Sequence, residues 1–251
     1  MAKIISIHSF RGGTGKSNFA ANLAYILAKD GKRVGVIDAD VASPGIHNLF
    51  GLEGKEITAS LNDYLLHGRD ILETARDVTS RLDTTITGQL YLIPSSIDPN
   101  EIANILRHGY GAEQFTRGLR SLVDGFGLDV LIIDTHPGLN EETLLSLIIS
   151  HALVILMRPD KQDYEGTGIT IKVARELGVP RMAIVVNKVP TSLQFQTIKM
   201  KVEEAFGCEV AGIIPHSDEM MSLASGGIFA FCYPTHPITS TFRQIAERIL
   251  A

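Results

Sequence analysis

Cysteine is scarce. Of 251 residues only Cys208 and Cys232 carry thiols, and they form no CxxC pair. Two isolated thiols exclude a disulfide framework and offer no zinc-ligand spacing, so a reducing compartment is expected. Basic residues are not in excess either: 23 Lys and Arg stand against 28 Asp and Glu, for a net charge of −5. No overall positive field therefore draws the chain to nucleic acid or anionic lipid. No apolar run approaches the ~20 residues needed to span a bilayer. The first residues read as a strand and lack a charged segment followed by a cleavable apolar one, so no signal peptide is expected and a cytoplasmic location is. Internal repeats, low-complexity stretches and linkers are also lacking, so residues 1–251 read as one domain. What the chain does have is 45% hydrophobic and 20% charged residues, the balance of a soluble globular protein with a large core.

The most informative stretch runs from Ile4 to Asn18. A short apolar strand leads into a loop holding Gly12, Gly13 and Gly15, then Lys16 and Ser17, and an apolar helix follows. Strand, Gly-rich loop and helix form the setting in which Gly-Lys-Ser/Thr cradles phosphates. Glycines let backbone N–H groups turn inward around an anion, and the helix N-terminus adds about half a positive charge. In this arrangement Lys16 reaches the β- and γ-phosphates and the Ser17 hydroxyl ligates Mg²⁺. The standard pattern has Gly where Phe10 stands, so the loop departs from it.

Along the rest of the chain, continuous apolar runs alternate with helical segments. Strands are expected at 3–9, 33–40, 129–134, 152–157, 182–186 and 210–214, with helices between them. Continuous rather than alternating apolar strands mean that both sheet faces are covered. The fold class is therefore α/β: a three-layer sandwich with a mostly parallel, twisted central sheet and helices on both faces. Residues 82–86 and 90–93, either side of Thr87-Gly88-Gln89, are expected to form a hairpin with one antiparallel edge strand.

Ligands of an open parallel sheet sit beyond the carboxyl ends of its strands. Asp38, Asp40 and Asp134 fall there. Asp134 closes a run of apolar residues, the layout in which an Asp holds Mg²⁺ directly or through water. Asp38 and Asp40 lie two apart, on one face of their strand.

Together these features resemble the MinD/ParA family of P-loop ATPases with a deviant phosphate loop. The likeness is carried by Arg11 to Ser17, Val36-Ile37-Asp38-Ala39-Asp40, Ile133 to Gly138, Val185-Val186-Asn187-Lys188 and Ile213-Ile214-Pro215. It implies a Mg²⁺-dependent ATPase acting as a switch, with ATP-driven homodimerisation used to position cargo or a partner complex. It implies phosphate contacts from Arg11, Gly12, Gly13, Thr14, Gly15, Lys16, Ser17 and Asn18, and adenine contacts from Asn187 and the loop from Pro215 onward. Ser17, Asp38 and Asp134 become the expected metal set, Asp40 the residue that positions the attacking water, and 134–138 the γ-phosphate-sensing segment. Arg11 stands where the family has a Lys that crosses the dimer to its partner's ATP. Arg keeps that charge and adds a planar donor fork.

Other features carry less. His136 reads as a loop residue with no role of its own. The C-terminal segment 241–251 is amphipathic but short, and its Phe242, Ile245 and Ile249 are expected to pack on the sheet rather than anchor a membrane. Lys172, Arg175, Lys199, Lys201, Arg243 and Arg248 are the candidates for nonspecific DNA contact, and a protein partner that stimulates hydrolysis is expected. Two other readings stay open: a catalytically weak nucleotide-binding interaction protein, and a reductase or cluster-carrier ATPase similar to nitrogenase iron protein. The second calls for cysteines near the switch, and Cys208 and Cys232 are far from it in sequence.

Overall fold

In the computed structural model, which describes residues 2–82 and 85–251, the apolar runs become the strands of one sheet. They are β1 (Lys3–His8), β2 (Arg33–Ala39), β3 (Arg76–Asp77), β4 (Gln89–Ile93), β5 (Val130–Thr135), β6 (Ala152–Met157), β7 (Met182–Val189) and β8 (Glu209–Pro215). Their order is β3-β4-β2-β5-β1-β6-β7-β8, and every neighbouring pair is parallel except β3 with β4. β5 and β6 are buried at every residue, which is why their sequences show no alternation.

Helices cover both faces. On one, Lys16–Lys29 and Pro237–Leu250 pack together, with the buried rings of Phe19 and Phe242 5.8 Å apart. On the other, Ala112–Phe126 brings Phe115, Leu119 and Leu122 onto Ile37, Leu131 and Ile133. Farther along that face, Ile171 of Lys161–Glu176 and Val202 of Phe195–Phe206 meet Leu153, Ile155 and Ile184. The expected three-layer α/β sandwich is what forms. Phe242, Ile245 and Ile249 are all buried, as their spacing predicts.

The hairpin does not form as expected. Leu82 closes the short helix Thr79–Leu82, residues 83 and 84 lie outside the described residues, and 85–88 is not a strand. The amides of Gly88 and Gln89 donate to the carbonyls of Ala28 and Lys32 (3.0 and 3.1 Å), so this segment wedges against the end of the first helix. The antiparallel edge strand exists, but it is β3.

Because the strands are parallel, their carboxyl ends share one edge. The register sets Asp38 opposite Asp134, and Asp134 opposite Ile7, two residues before the loop at Ser9. Of the basic residues named above, Arg175 donates to the Phe206 carbonyl (2.7 Å), Arg248 donates to that of Ala211 (2.9 Å), and Lys199 lies 3.8 Å from Glu203, while Lys172, Lys201 and Arg243 are exposed. Among the described residues no helix is long and apolar enough to cross a membrane.

The Phe19–Phe242 contact joins the first and last helices, so Phe242→Ala should cost about 3–5 kcal/mol of stability. Urea unfolding followed by circular dichroism checks this, with a lower midpoint at an unchanged slope. A loss below about 1 kcal/mol would show that the site collapses around the missing ring.

Candidate functional site

The loop between β1 and the first helix takes its shape from glycine. Gly13 and Gly15 have φ of 77° and 97°, left-handed values that L side chains rarely adopt. A Cβ on Gly15 would also lie 2.7 Å from Asn187 Nδ2. The helix Lys16–Lys29 has no side-chain cap and no acidic residue in its first turn. Its first N–H groups and the positive end of its dipole are thus left for an external anion.

The loop carbonyls are tied outward. Asn187 donates from Nδ2 to the Thr14 carbonyl (2.8 Å), and the Lys188 ammonium donates to the Gly13 carbonyl (2.9 Å). Asn187 Oδ1 in turn accepts from the Lys188 amide (2.9 Å). Lys188 has φ 56° at the irregular end of β7, a conformation uncommon for a residue with a side chain. Sequence reasoning singled out Asn187 but gave Lys188 no role, since a lysine after a strand looks like a solvated turn residue.

The front of the loop leans on the helix Lys161–Glu176. A Cβ on Gly166 would lie 2.2 Å from Phe10 Cδ1, so the Phe10 ring occupies the space that Gly166 leaves. That contact accounts for Phe10 where the standard loop has Gly. Arg11 donates to Gln162 Oε1 of its own chain and lies 3.9 Å from Asp163. Asp163 is already held by Arg158, whose Nε and a terminal nitrogen lie 3.0 and 3.2 Å away.

Inside the loop the charges crowd. Lys16, Asp38 and Asp134 are all buried. Burial lowers the Lys16 ammonium from its ordinary value, and Asp134, Asp40 and Asp38 oppose that shift. Burial raises Asp38, and the charges of Asp134 and Asp40 raise it further. Asp38 is stabilised in place by the amides of Asp40 and Gly45, each 3.2 Å from one of its oxygens. Asp134 is pushed up to about 7, by burial first, while the Ser17 hydroxyl and Lys16 pull it back. Neither oxygen of Asp134 has a partner at ordinary hydrogen-bond geometry, and the same holds for the buried Thr14 hydroxyl and His8 Nε2. His8 donates from Nδ1 to Thr135 Oγ1 (2.9 Å), because that hydroxyl gives its own hydrogen to the Ile7 carbonyl (3.0 Å). Burial and the nearby Lys16 and His136 push His8 down to about 3, so its ring is neutral. Buried polar atoms without partners are costly in a folded chain. Their gathering under a loop that presents free N–H groups fits a phosphate-bound cation: Ser17 and Asp134 could hold the metal, and the loop amides with Lys16 the phosphates.

Asp40 lies just past β2 and comes within 2.6 Å of His136 Nδ1. His136, which reads from the sequence as a loop residue with no role of its own, thus has an acidic side-chain partner. The residues are 96 apart in sequence, and nothing local in the chain signals the contact. On the far side of Gly15 a cleft of about 330 Å³ is lined by Asn18, Asn187, Pro215, His216 and Met221. Asn18 donates to the Ala224 carbonyl (3.2 Å), closing one wall.

The raised pKa of Asp134 has a direction in pH. The folded chain holds a proton there that the unfolded chain releases near pH 4, so this contribution to stability is lost as pH rises through about 7. Asp134→Asn should therefore be more stable than the parent at pH 8, on the order of 1–3 kcal/mol, with the gap closing toward pH 5. Urea midpoints of the ligand-free proteins check this. A variant less stable at pH 8 would mean that the ionised carboxylate is satisfied without a ligand.

Comparison with known proteins agrees with this geometry. The profile of a family described as an AAA domain matches residues 2–178. The chain is 28% identical over 251 residues to an uncharacterised ATP-binding protein of Methanocaldococcus jannaschii, covering 100% of this chain and 88% of that one. It is 28% identical over 260 residues to an iron-sulfur cluster carrier protein of Aquifex aeolicus, covering 97% and 66%. Among solved structures, the septum site-determining protein MinD of Pyrococcus horikoshii, complexed with Mg-ADP, superposes with a TM-score of 0.80 at 18% identity, over 99% of this chain and 96% of that one. The chain belongs to the AAA-domain family whose profile it matches, and it has the fold of the MinD/ParA-like P-loop ATPases.

Proposed function

We propose that residues 1–251 act as one ATP-binding domain that hydrolyses ATP to ADP and phosphate and works as a switch, dimerising around ATP to position cargo or a partner complex. The observation that carries this reading is the pairing of an uncapped helix N-terminus with a buried, unpartnered Asp134 beneath it. Phosphates sit on the amides of 12–17 and on the Lys16 ammonium. Ser17 and Asp134 would hold the magnesium ion; Asp38, expected in the same set, has its oxygens on the amides of Asp40 and Gly45 and would contribute its charge. When bound, that ion neutralises charge on the phosphoryl oxygens. Asp40 orients the attacking water, and catalysis is otherwise positioning. The cleft along Asn18, Asn187 and Pro215 takes the adenine. A second protein that completes or stimulates the site fits such a switch.

The cluster-carrier relative supports a second reading. Cluster ligation needs thiolates, and here Cys208 is buried while Cys232 is exposed at the end of the helix Phe229–Cys232. That placement favours the nucleotide switch.

Lys16→Ala should weaken ATP binding at least ~10-fold by calorimetry, since it removes the ammonium from the phosphates, while Asp40→Ala should bind ATP normally and lose ~100-fold in single-turnover hydrolysis. Unchanged affinity in the first variant contradicts the phosphate site. An unchanged rate in the second makes Asp40 a turn residue.

Arg11 is the proposed contact across the dimer. Its guanidinium is 41% exposed, and its carboxylate neighbour Asp163 is already satisfied by Arg158, so a partner's γ-phosphate offers a stronger bidentate mate. With Mg-ATP, Asp40→Ala should accumulate as a dimer by light scattering. Adding Arg11→Ala should return it to monomer with ATP still bound. If the double variant stays dimeric, Arg11 serves only its own chain through Gln162.

A further inference from the structure

We infer that His136 is the positioning residue for Asp40: its imidazole fixes one carboxylate oxygen so that the other is presented to the attacking water. The inference rests on the reading of Asp40 given above and adds the group that makes Asp40 effective.

Two bonds converge on one oxygen. Asp40 Oδ1 lies 2.6 Å from His136 Nδ1 and accepts the Ser43 amide at 3.1 Å. A carboxylate can only accept, so Nδ1 carries the hydrogen of this pair. Oδ2 accepts nothing among the described residues and is left for water. Asp40 sits past the end of β2, where no ladder holds it. A carboxylate there turns freely about its side-chain bonds unless something outside its own strand holds it. Ser43 is in the same loop and moves with Asp40; His136 comes from the end of another strand.

His136 is itself held. Pro137 follows it and confines its backbone to the extended region. The Thr143 hydroxyl donates to the His136 carbonyl (3.3 Å), which ties it to the first turn of the helix Glu141–Ile148. Two residues on, the Gly138 amide donates to the Ser9 carbonyl (3.0 Å) at the start of the phosphate loop. The imidazole therefore links Asp40 to the segment 134–138, so the aim of Asp40 follows the position of that segment. The pair is mostly enclosed, with His136 28% and Asp40 15% exposed, and an enclosed charge-assisted bond is stronger and more directional than one in water.

The test uses the full chain and two readouts, ATP affinity by calorimetry and the single-turnover rate. His136→Ala should slow hydrolysis ~10-fold while affinity stays within ~2-fold, because the lost interaction acts on water and not on the nucleotide. His136→Asn keeps an N–H donor where Nδ1 stands and should recover the rate to within ~3-fold of the parent. The double variant Asp40→Ala/His136→Ala should be no slower than Asp40→Ala alone, since the two residues act as a unit. A parental rate in His136→Ala, an Asn variant as slow as the Ala variant, or a double variant slower by the full His136 factor overturns the inference while the role of Asp40 stands. A parental rate in Asp40→Ala overturns the reading on which the inference rests.

Discussion

The site is governed by the pairing of β2 with β5, which sets two buried carboxylates, Asp38 and Asp134, opposite each other at the carboxyl edge of the sheet. Burial raises the pKa of both groups; the charges of Asp134 and Asp40 raise Asp38 further, and that of Asp40 raises Asp134. The Lys16 ammonium nearby is itself depressed by burial. Bringing a polyphosphate onto the loop amides adds more negative charge to the same few ångströms. Ser17 and Asp134, whose carboxylate oxygens the fold leaves without partners, would hold a divalent cation, and that cation would supply the positive charge the cluster lacks. The fold accepts a local loss of stability where the proposed ligand restores it.

Around that charge cluster the loop is braced from three directions. Asn187 and Lys188, from β7, hold two loop carbonyls. The helix Lys161–Glu176 supports the front of the loop, where Gly166 makes room for Phe10. The segment after β5 supplies the Gly138 amide to Ser9 and the His136 ring to Asp40. These supports come from three separate parts of the chain, β7, the helix Lys161–Glu176 and the segment after β5.

How much of this could be read beforehand depended on sequence distance. The shape of the loop between β1 and the first helix was legible because strand, glycines, Lys16 and helix are contiguous. Asp134 was legible because it ends the most apolar run in the chain. The helical packing of Phe242, Ile245 and Ile249 followed from their spacing. The partners of Arg11, Asp40 and Gly13 were not legible, because Gln162, His136 and Lys188 lie about 96 to 175 residues away and only the sheet order brings them together. The false hairpin had a different cause. The turn-like Thr87-Gly88-Gln89 suggested strands on both sides, but the amides of Gly88 and Gln89 are bonded to the end of the first helix, a tertiary contact that no local pattern announces.

Hydrogen exchange of the intact protein with and without Mg-ATP tests the central claim most directly, because it reports where the ligand acts as well as whether it binds. The account predicts slowed exchange at 11–18, 38–45 and 134–138 together, with little change along the far edge of the sheet at 76–77. Protection absent from 11–18, or confined to a surface away from the carboxyl edge of the sheet, would contradict it.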